Sequence, residues 1–125
     1  MPKILVIDDD KDLLDITQTL LVKQGFEVET NANWDDALQK IETFQPQLIL
    51  LDVFLNGIDG LDICKQLKSM PHTKHIPVMI FSGYPRVAES VIYEYGADDF
   101  IAKPFEVNDL ITKMHSVLSQ PAGFA

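Results

Sequence analysis

The feature that most constrains this chain is an alternation of short apolar runs with longer amphipathic stretches of helical period. The runs are Ile4–Ile7, a weaker one at Phe26–Glu29, Leu48–Leu51, Val78–Phe81 and a short one at Phe100–Ala102. Runs this short and this uniformly apolar read as strands buried on both faces. Between them the period changes to that of a helix. Asp10 is placed to cap a first helix carrying Leu13, Leu14, Thr17, Leu20 and Leu21 on one face, and Gly25 ends it. Asn33 can cap a second, with Ala37, Leu38 and Ile41 inward, stopped before Pro46. A third opens at Asp59 or Gly60 with Leu61, Cys64 and Leu67 inward. A fourth begins at Pro85 and ends near Gly96, and a fifth runs from about Glu106 to Leu118. Five strands alternating with five helices imply an α/β fold, a parallel sheet covered on both faces by right-handed crossovers.

The 125 residues suffice for one hydrophobic core and leave no room for a second domain. The reading is a single domain over 1–125, its core about 3–118 and Gln120–Ala125 a loose tail. A net charge of -9 argues against nucleic acid as a direct partner, which calls for a basic patch. The lone Cys64 excludes an internal disulfide and, at helical spacing between Leu61 and Leu67, reads as a buried structural thiol in a reducing compartment. No apolar run approaches a membrane span, and the four apolar residues at Ile4–Ile7 are too few for a signal peptide. The expected location is cytoplasmic.

An open parallel sheet binds ligands beyond the carboxyl ends of its strands. The polar residues gather there: Asp8, Asp9 and Asp10 after the first strand, Asp52 after the third, Ser82 after the fourth and Lys103 after the fifth. Asp8, Asp9 and Asp52 would bring three carboxylates together. Two unit charges about 4 Å apart repel by roughly 4 kcal/mol at an effective dielectric of 20, so the cluster calls for a cation. An all-oxygen donor set with room for water suits Mg²⁺ or Mn²⁺. Capping of the first helix accounts for Asp10 but not for Asp8 or Asp52. A carboxylate can attack phosphorus to give an acyl phosphate, a transfer that needs positioning and charge neutralisation more than proton chemistry. Lys103 is placed to supply positive charge beside the metal, Pro104 can hold its turn in a cis peptide, and the Ser82 hydroxyl can bond a phosphoryl oxygen.

These residues resemble a known family. Asp8-Asp9 after the first strand, Asp52 within Leu-Ile-Leu-Leu-Asp-Val-Phe-Leu-Asn-Gly-Ile-Asp-Gly, Ser82 after Ile-Pro-Val-Met-Ile-Phe, and Lys103-Pro104-Phe105 look like the CheY-like receiver domain of two-component response regulators. The resemblance runs from Lys3 to about Leu118. It implies a flavodoxin-like (βα)5 sheet of strand order 2-1-3-4-5 and a signalling switch rather than an enzyme, apart from self-phosphotransfer and slow self-dephosphorylation. It implies that Asp52 is the phosphoacceptor, that Asp9 and Asp52 bind Mg²⁺ directly, that Asp8 acts mainly through water, and that the Phe54 backbone carbonyl is a further ligand. Ser82 matches the switch hydroxyl, Lys103 the phosphoryl-binding lysine and Phe100 the aromatic switch position. The donor would be a histidine kinase or histidine phosphotransfer protein. The output would be a changed surface on the fourth helix, fifth strand and fifth helix, offered to a downstream protein or to a second copy of the chain.

Three departures from the family pattern matter. Asn56 stands where Pro is frequent, but Asn56-Gly57 is itself a turn former. Phe100 replaces the commoner Tyr and lacks its hydroxyl. Phe54 and Tyr84, two residues beyond Asp52 and Ser82, are aromatic where polar side chains could orient a water, so a long-lived phosphoryl group is expected. His72 and His75 before the fourth strand read as a solvated loop, His115 as a surface or edge residue, and Trp34 as a shield over the second helix. Two rivals remain in outline. A haloacid-dehalogenase-type phosphatase would use Asp8 as nucleophile, but Lys103 follows Asp98-Asp99 instead of preceding them, and Asp52 would go unexplained. A phosphorylation-independent pseudo-receiver would have lost a site residue, and none is lost.

Overall fold

The computed structural model describes residues 1–55, 58–82 and 93–119. Its centre is a parallel sheet of β1 (Lys3–Ile7), β2 (Glu27–Asn31), β3 (Leu48–Asp52), β6 (Val78–Ser82) and β7 (Asp99–Ala102), in the order β2-β1-β3-β6-β7. Numbered by the sheet strands alone, this is 2-1-3-4-5. The apolar runs are strands for the expected reason: every residue of β3 is buried, as it must be in a strand covered above and below. The second strand is displaced from its apolar run and extends to Asn31, because parallel pairing with β1 carries on to Ile7↔Asn31.

Helix α1 (Lys11–Lys23) starts where Asp10 accepts the Leu13 N–H at 3.1 Å and ends before Gly25 at φ +95°. Helix α3 (Gly60–Ser69) is capped by Asp59, which accepts the Leu61 N–H at 2.9 Å, and α4 (Val107–Leu118) closes the fold. Helix α2 (Ala37–Phe44) departs from expectation at its start. Asn33 accepts the Asp36 N–H at 3.2 Å and so caps a turn that precedes the helix. Leu38 is 37% exposed, because only Ala37 and Ile41, one turn apart, lie on the narrow inward stripe of this short helix. Of the anticipated fourth helix, Tyr93 and Glu94 are helical and Gly96 follows at φ +90°; the remainder, with Tyr84, lies outside the described residues. An unanticipated antiparallel hairpin, β4 (Phe54–Leu55) with β5 (Ile58–Asp59), follows Asp52 and brackets positions 56–57.

Strand alternation divides the core in two. Leu5, Ile7, Ile49, Leu51, Val78 and Ile80 pack with α2 and α3. Ile4, Val6, Leu48, Leu50, Met79, Phe81 and Ile101 pack with α1 and α4. At the amino-terminal end of the strands, Lys68 of α3 pairs with Asp98 at 2.7 Å, and Thr73 donates to the Leu67 carbonyl at 2.6 Å. His72 and His75 are exposed there, as the sequence implied, and His115 is exposed beside Phe26. Trp34 packs on the α2/α3 cluster, and Cys64 is fully buried, its thiol pushed up to about 11 by burial.

Candidate functional site

The register assembles the site. Ile7 lies opposite Leu51, so Asp8 and Asp52 leave adjacent strands side by side; Asp52 in turn pairs with Phe81, and Phe81 with Ile101. Alternation then sets the face. Asp8 continues Ile4 and Val6, Asp52 continues Leu48 and Leu50, and Lys103 continues Ile101, so all three project on the α1/α4 side of the sheet.

Carboxylate oxygens of Asp8, Asp9 and Asp52 lie within 4.8 Å of one another. Asp8 is 1% exposed and Asp52 7% exposed, whereas Asp9 faces solvent. Lys103 crosses the cluster, its Nζ donating to Asp8 Oδ2 at 2.7 Å and to Asp52 Oδ1 at 3.2 Å. Asp8 Oδ1 accepts the Asp10 N–H at 3.0 Å, which ties the carboxylate to the start of α1. The Lys103–Pro104 peptide is cis, as the sequence suggested. Lys103 Nζ also stands 4.7 Å from the centroid of the Phe81 ring.

Lys103, the cation that the described residues bring to this cluster, does not balance it. Burial raises the Asp8 carboxyl above its ordinary value despite the hydrogen bond from Lys103. Burial and the neighbouring Asp8 charge raise Asp52 likewise. For Lys103, burial pulls downward, but the Asp8 hydrogen bond and the charges of Asp8 and Asp52 outweigh it and hold the ammonium above its usual value. Desolvated carboxylates in excess of their cation are what a divalent ion relieves. The donor set is three carboxylates, all oxygen and one of them open to solvent, and it fits Mg²⁺ or Mn²⁺.

The structure thus brings together Asp8, Asp9, Asp52 and Lys103. Phe54 begins the hairpin two residues after Asp52, and Ser82 ends β6 opposite Ala102, one residue from Lys103 in the neighbouring strand. The side chains of Phe54 and Ser82 lie outside the described part. Phe100 is half-buried against the α2/α3 cluster, on the opposite face of the sheet from Lys103. Two contributors escaped the sequence reading. A Cβ at Gly60 would come within 2.0 Å of the Asp52 carbonyl oxygen and 2.8 Å of Val53, so only glycine lets α3 begin against the strand that carries Asp52. The glycine after a capping aspartate was visible, but the backbone it approaches was not. Phe81 looked like core alone, and only its pairing with Asp52 puts its ring beneath Lys103.

Beside the cluster a groove of about 470 Å³ is lined by Leu13, Ile16, Thr17, Leu20, Pro104 and Phe105. Ile16 is 57% exposed on its rim, and the buried Thr17 hydroxyl has no partner among the described residues.

A doubly wound sheet with an acidic pocket at its carboxyl edge, crossed by one lysine, defines a receiver for phosphoryl groups. The sequence matches the response regulator receiver domain over residues 4–115, and the chain belongs to that family, the phosphoacceptor switches of two-component signalling. It is 34% identical over 117 residues to the alkaline phosphatase synthesis transcriptional regulatory protein PhoP of Bacillus subtilis (strain 168). It is 31% identical over 119 residues to the phosphate regulon transcriptional regulatory protein PhoB of Rhizobium meliloti (strain 1021). These matches take in 93% and 94% of this chain but 48% and 52% of those proteins, so the chain spans about half the length of the curated relatives it matches. Among solved structures, the receiver domain of NtrX from Brucella abortus is similar with a TM-score of 0.86 at 33% identity, covering 94% of this chain and 99% of that one. A CheY-like receiver domain protein from Methanospirillum hungatei JF-1 is similar with a TM-score of 0.85 at 31% identity, covering 94% of each chain. No described helix is long and apolar enough to cross a membrane.

Proposed function

We propose that Asp52 is the phosphoacceptor of this chain, taking its phosphoryl group from a phosphohistidine on a histidine kinase or phosphotransfer protein. The observation that carries this is the bridge of Lys103 across Asp8 and Asp52 within a cluster of three carboxylates. Lys103 reaches one oxygen of Asp52, and no described residue donates to the other, which leaves that oxygen's lone pairs for attack on phosphorus. That oxygen forms a bond to phosphorus as the phosphorus–nitrogen bond to the donor imidazole breaks, and the leaving imidazole takes a proton from solvent. Asp8, Asp9, Asp52 and the Phe54 carbonyl are the groups that would hold Mg²⁺, which when bound neutralises charge on the phosphoryl oxygens. Lys103 exchanges its bond to Asp52 for one to a phosphoryl oxygen, and Ser82 donates to another. The same chemistry run with water resets the switch, so the reactions of this reading are self-phosphotransfer and self-dephosphorylation.

The donor must present its histidine at the same mouth. The apolar groove of Leu13, Ile16, Leu20, Pro104 and Phe105 offers the footing beside it. On the output side, Phe100 and the segments around α4 would carry the change to a downstream protein or a second copy of the chain. Aromatic residues at 54 and 84 would slow the water attack; Phe54→Asn and Tyr84→Glu each should shorten the lifetime of the aspartyl phosphate, and unchanged decay in both would refute it. The central test is treatment with acetyl phosphate and Mg²⁺, comparing wild type with Asp52→Asn by intact mass. An Asp52-dependent gain is expected; a gain that survives in Asp52→Asn, or moves to Asp8, would overturn the reading.

A further inference from the structure

Phe81 is 2% exposed in β6, where the strand register asks only for an apolar side chain; Leu50 and Met79, its neighbours on the same face, are aliphatic. It is nevertheless aromatic, and the Lys103 ammonium stands 4.7 Å from its ring centroid. Phe105, two residues past Lys103, meets the ring at 90° with centroids 6.3 Å apart. The ring is thereby held between the strand and the loop that carries the lysine. We propose that Phe81 is a positioning residue for phosphoryl transfer: its π face keeps the Lys103 ammonium at the mouth of the acidic site when the carboxylates are otherwise engaged.

The inference rests on the phosphoacceptor reading of Asp52. Among the described residues Lys103 has three attractors, Asp8 at 2.7 Å, Asp52 at 3.2 Å and the ring. Both carboxylates belong to the cluster a divalent cation would claim, and Lys103 must give up Asp52 before it can bond an incoming phosphoryl oxygen. A lysine held by carboxylates alone would then regain the freedom of a long flexible side chain, and this one is already 21% exposed. The ring neither ionises nor binds a hard cation. Its attraction for the ammonium persists through those changes and is strongest where the pair is shielded from water.

The test uses Phe81→Leu and, separately, phenylalanine with increasing ring fluorination at position 81, which keeps the shape of the core while draining the negative face of the ring. In NMR spectra the Lys103 ε-methylene protons should be ring-current shifted in wild type, remain so with Mg²⁺, and lose the shift in Phe81→Leu. The rate of Asp52 phosphorylation by acetyl phosphate should fall about three- to tenfold in Phe81→Leu and stepwise with fluorination, at unchanged thermal midpoint in the fluorinated series. A rate indifferent to fluorination, or Lys103 protons that return to their unshifted position when Mg²⁺ is added, would overturn the proposal. If wild type itself shows no Asp52-dependent mass gain, the phosphoacceptor reading fails instead, and the NMR arm, which needs no phosphorylation, still decides whether Phe81 holds Lys103.

Discussion

At the amino-terminal end of the sheet Lys68 meets Asp98 at 2.7 Å, and at the carboxyl end Lys103 meets Asp8 at the same distance. The surroundings differ. Among the described residues Lys68 has one carboxylate, and it spends a further hydrogen bond on the Ile76 carbonyl at 2.8 Å. Asp98 also accepts the Val78 N–H at 2.8 Å, so the pair joins α3, the start of β6 and the approach to β7, with charges in balance. Lys103 faces two buried carboxylates with a third beside them. Two contacts of equal length are therefore a clamp in one place and an unfinished site in the other. Charge balance and burial separate them, not distance.

The sharpest way to break this contrast is covalent. Asp52→Asn should abolish phosphorylation by acetyl phosphate completely, whereas Lys68→Met should leave it intact, both read by intact mass; loss in the second variant would mean the clamp belongs to the site. Next in size, Gly60→Ala forces a methyl group into the Asp52 carbonyl and should cost about 3 kcal/mol in urea denaturation, an overpacking penalty against backbone that cannot yield. Replacing each lysine compares the two ends directly. Lys68→Met should cost about 2 kcal/mol, discounted because Asp98 is partly exposed, and Mg²⁺ should not restore it. Lys103→Met leaves the carboxylates without their cation, and its loss should be largely recovered by Mg²⁺, since a ligand at a hundred times its Kd contributes about 2.7 kcal/mol. Equal recovery in both variants would erase the distinction.

The smallest effect is in pH. Asp8 and Asp52 are raised by burial above the ordinary carboxylate value, so the folded metal-free protein holds these protons more tightly than the unfolded chain. Their contribution is favourable below the ordinary value and is lost as pH rises through the raised folded values. At neutral pH the ionised cluster therefore destabilises the metal-free fold, and mild acidification should relieve it. Protons then compete with the cation, so the stabilisation by Mg²⁺ should shrink as pH falls through the same range. Thermal melts with and without Mg²⁺ across that window would show the two curves converging; parallel curves would contradict the assignment.

Much of this was legible in the chain. The five strands, the caps at Asp10 and Asp59 and the gathering of Asp8, Asp52 and Lys103 at strand ends depend on local periodicity and on the rule that such sheets bind at their carboxyl edge. The misreadings have local causes too. Leu38 has helical spacing but falls off the narrow inward stripe of α2, and Asn33 caps a turn ahead of that helix. Asn56-Gly57 is a turn signal in the sequence, but the pairing of Phe54 with Asp59 and of Leu55 with Ile58 has no such signal, because two-residue strands leave no periodicity to count.

The sequence by itself determined the alternation of strands and helices and the identity of the charged residues at the strand ends, because burial on both faces writes itself into short apolar runs. Tertiary structure decided the rest through register. Only the pairing of Ile7 with Leu51 and of Asp52 with Phe81 sets which carboxylates share one lysine, which ring lies beneath it and why Gly60 has no room for a side chain. Those contacts join residues as far as 95 positions apart, and separations of that order leave no periodic trace in the chain.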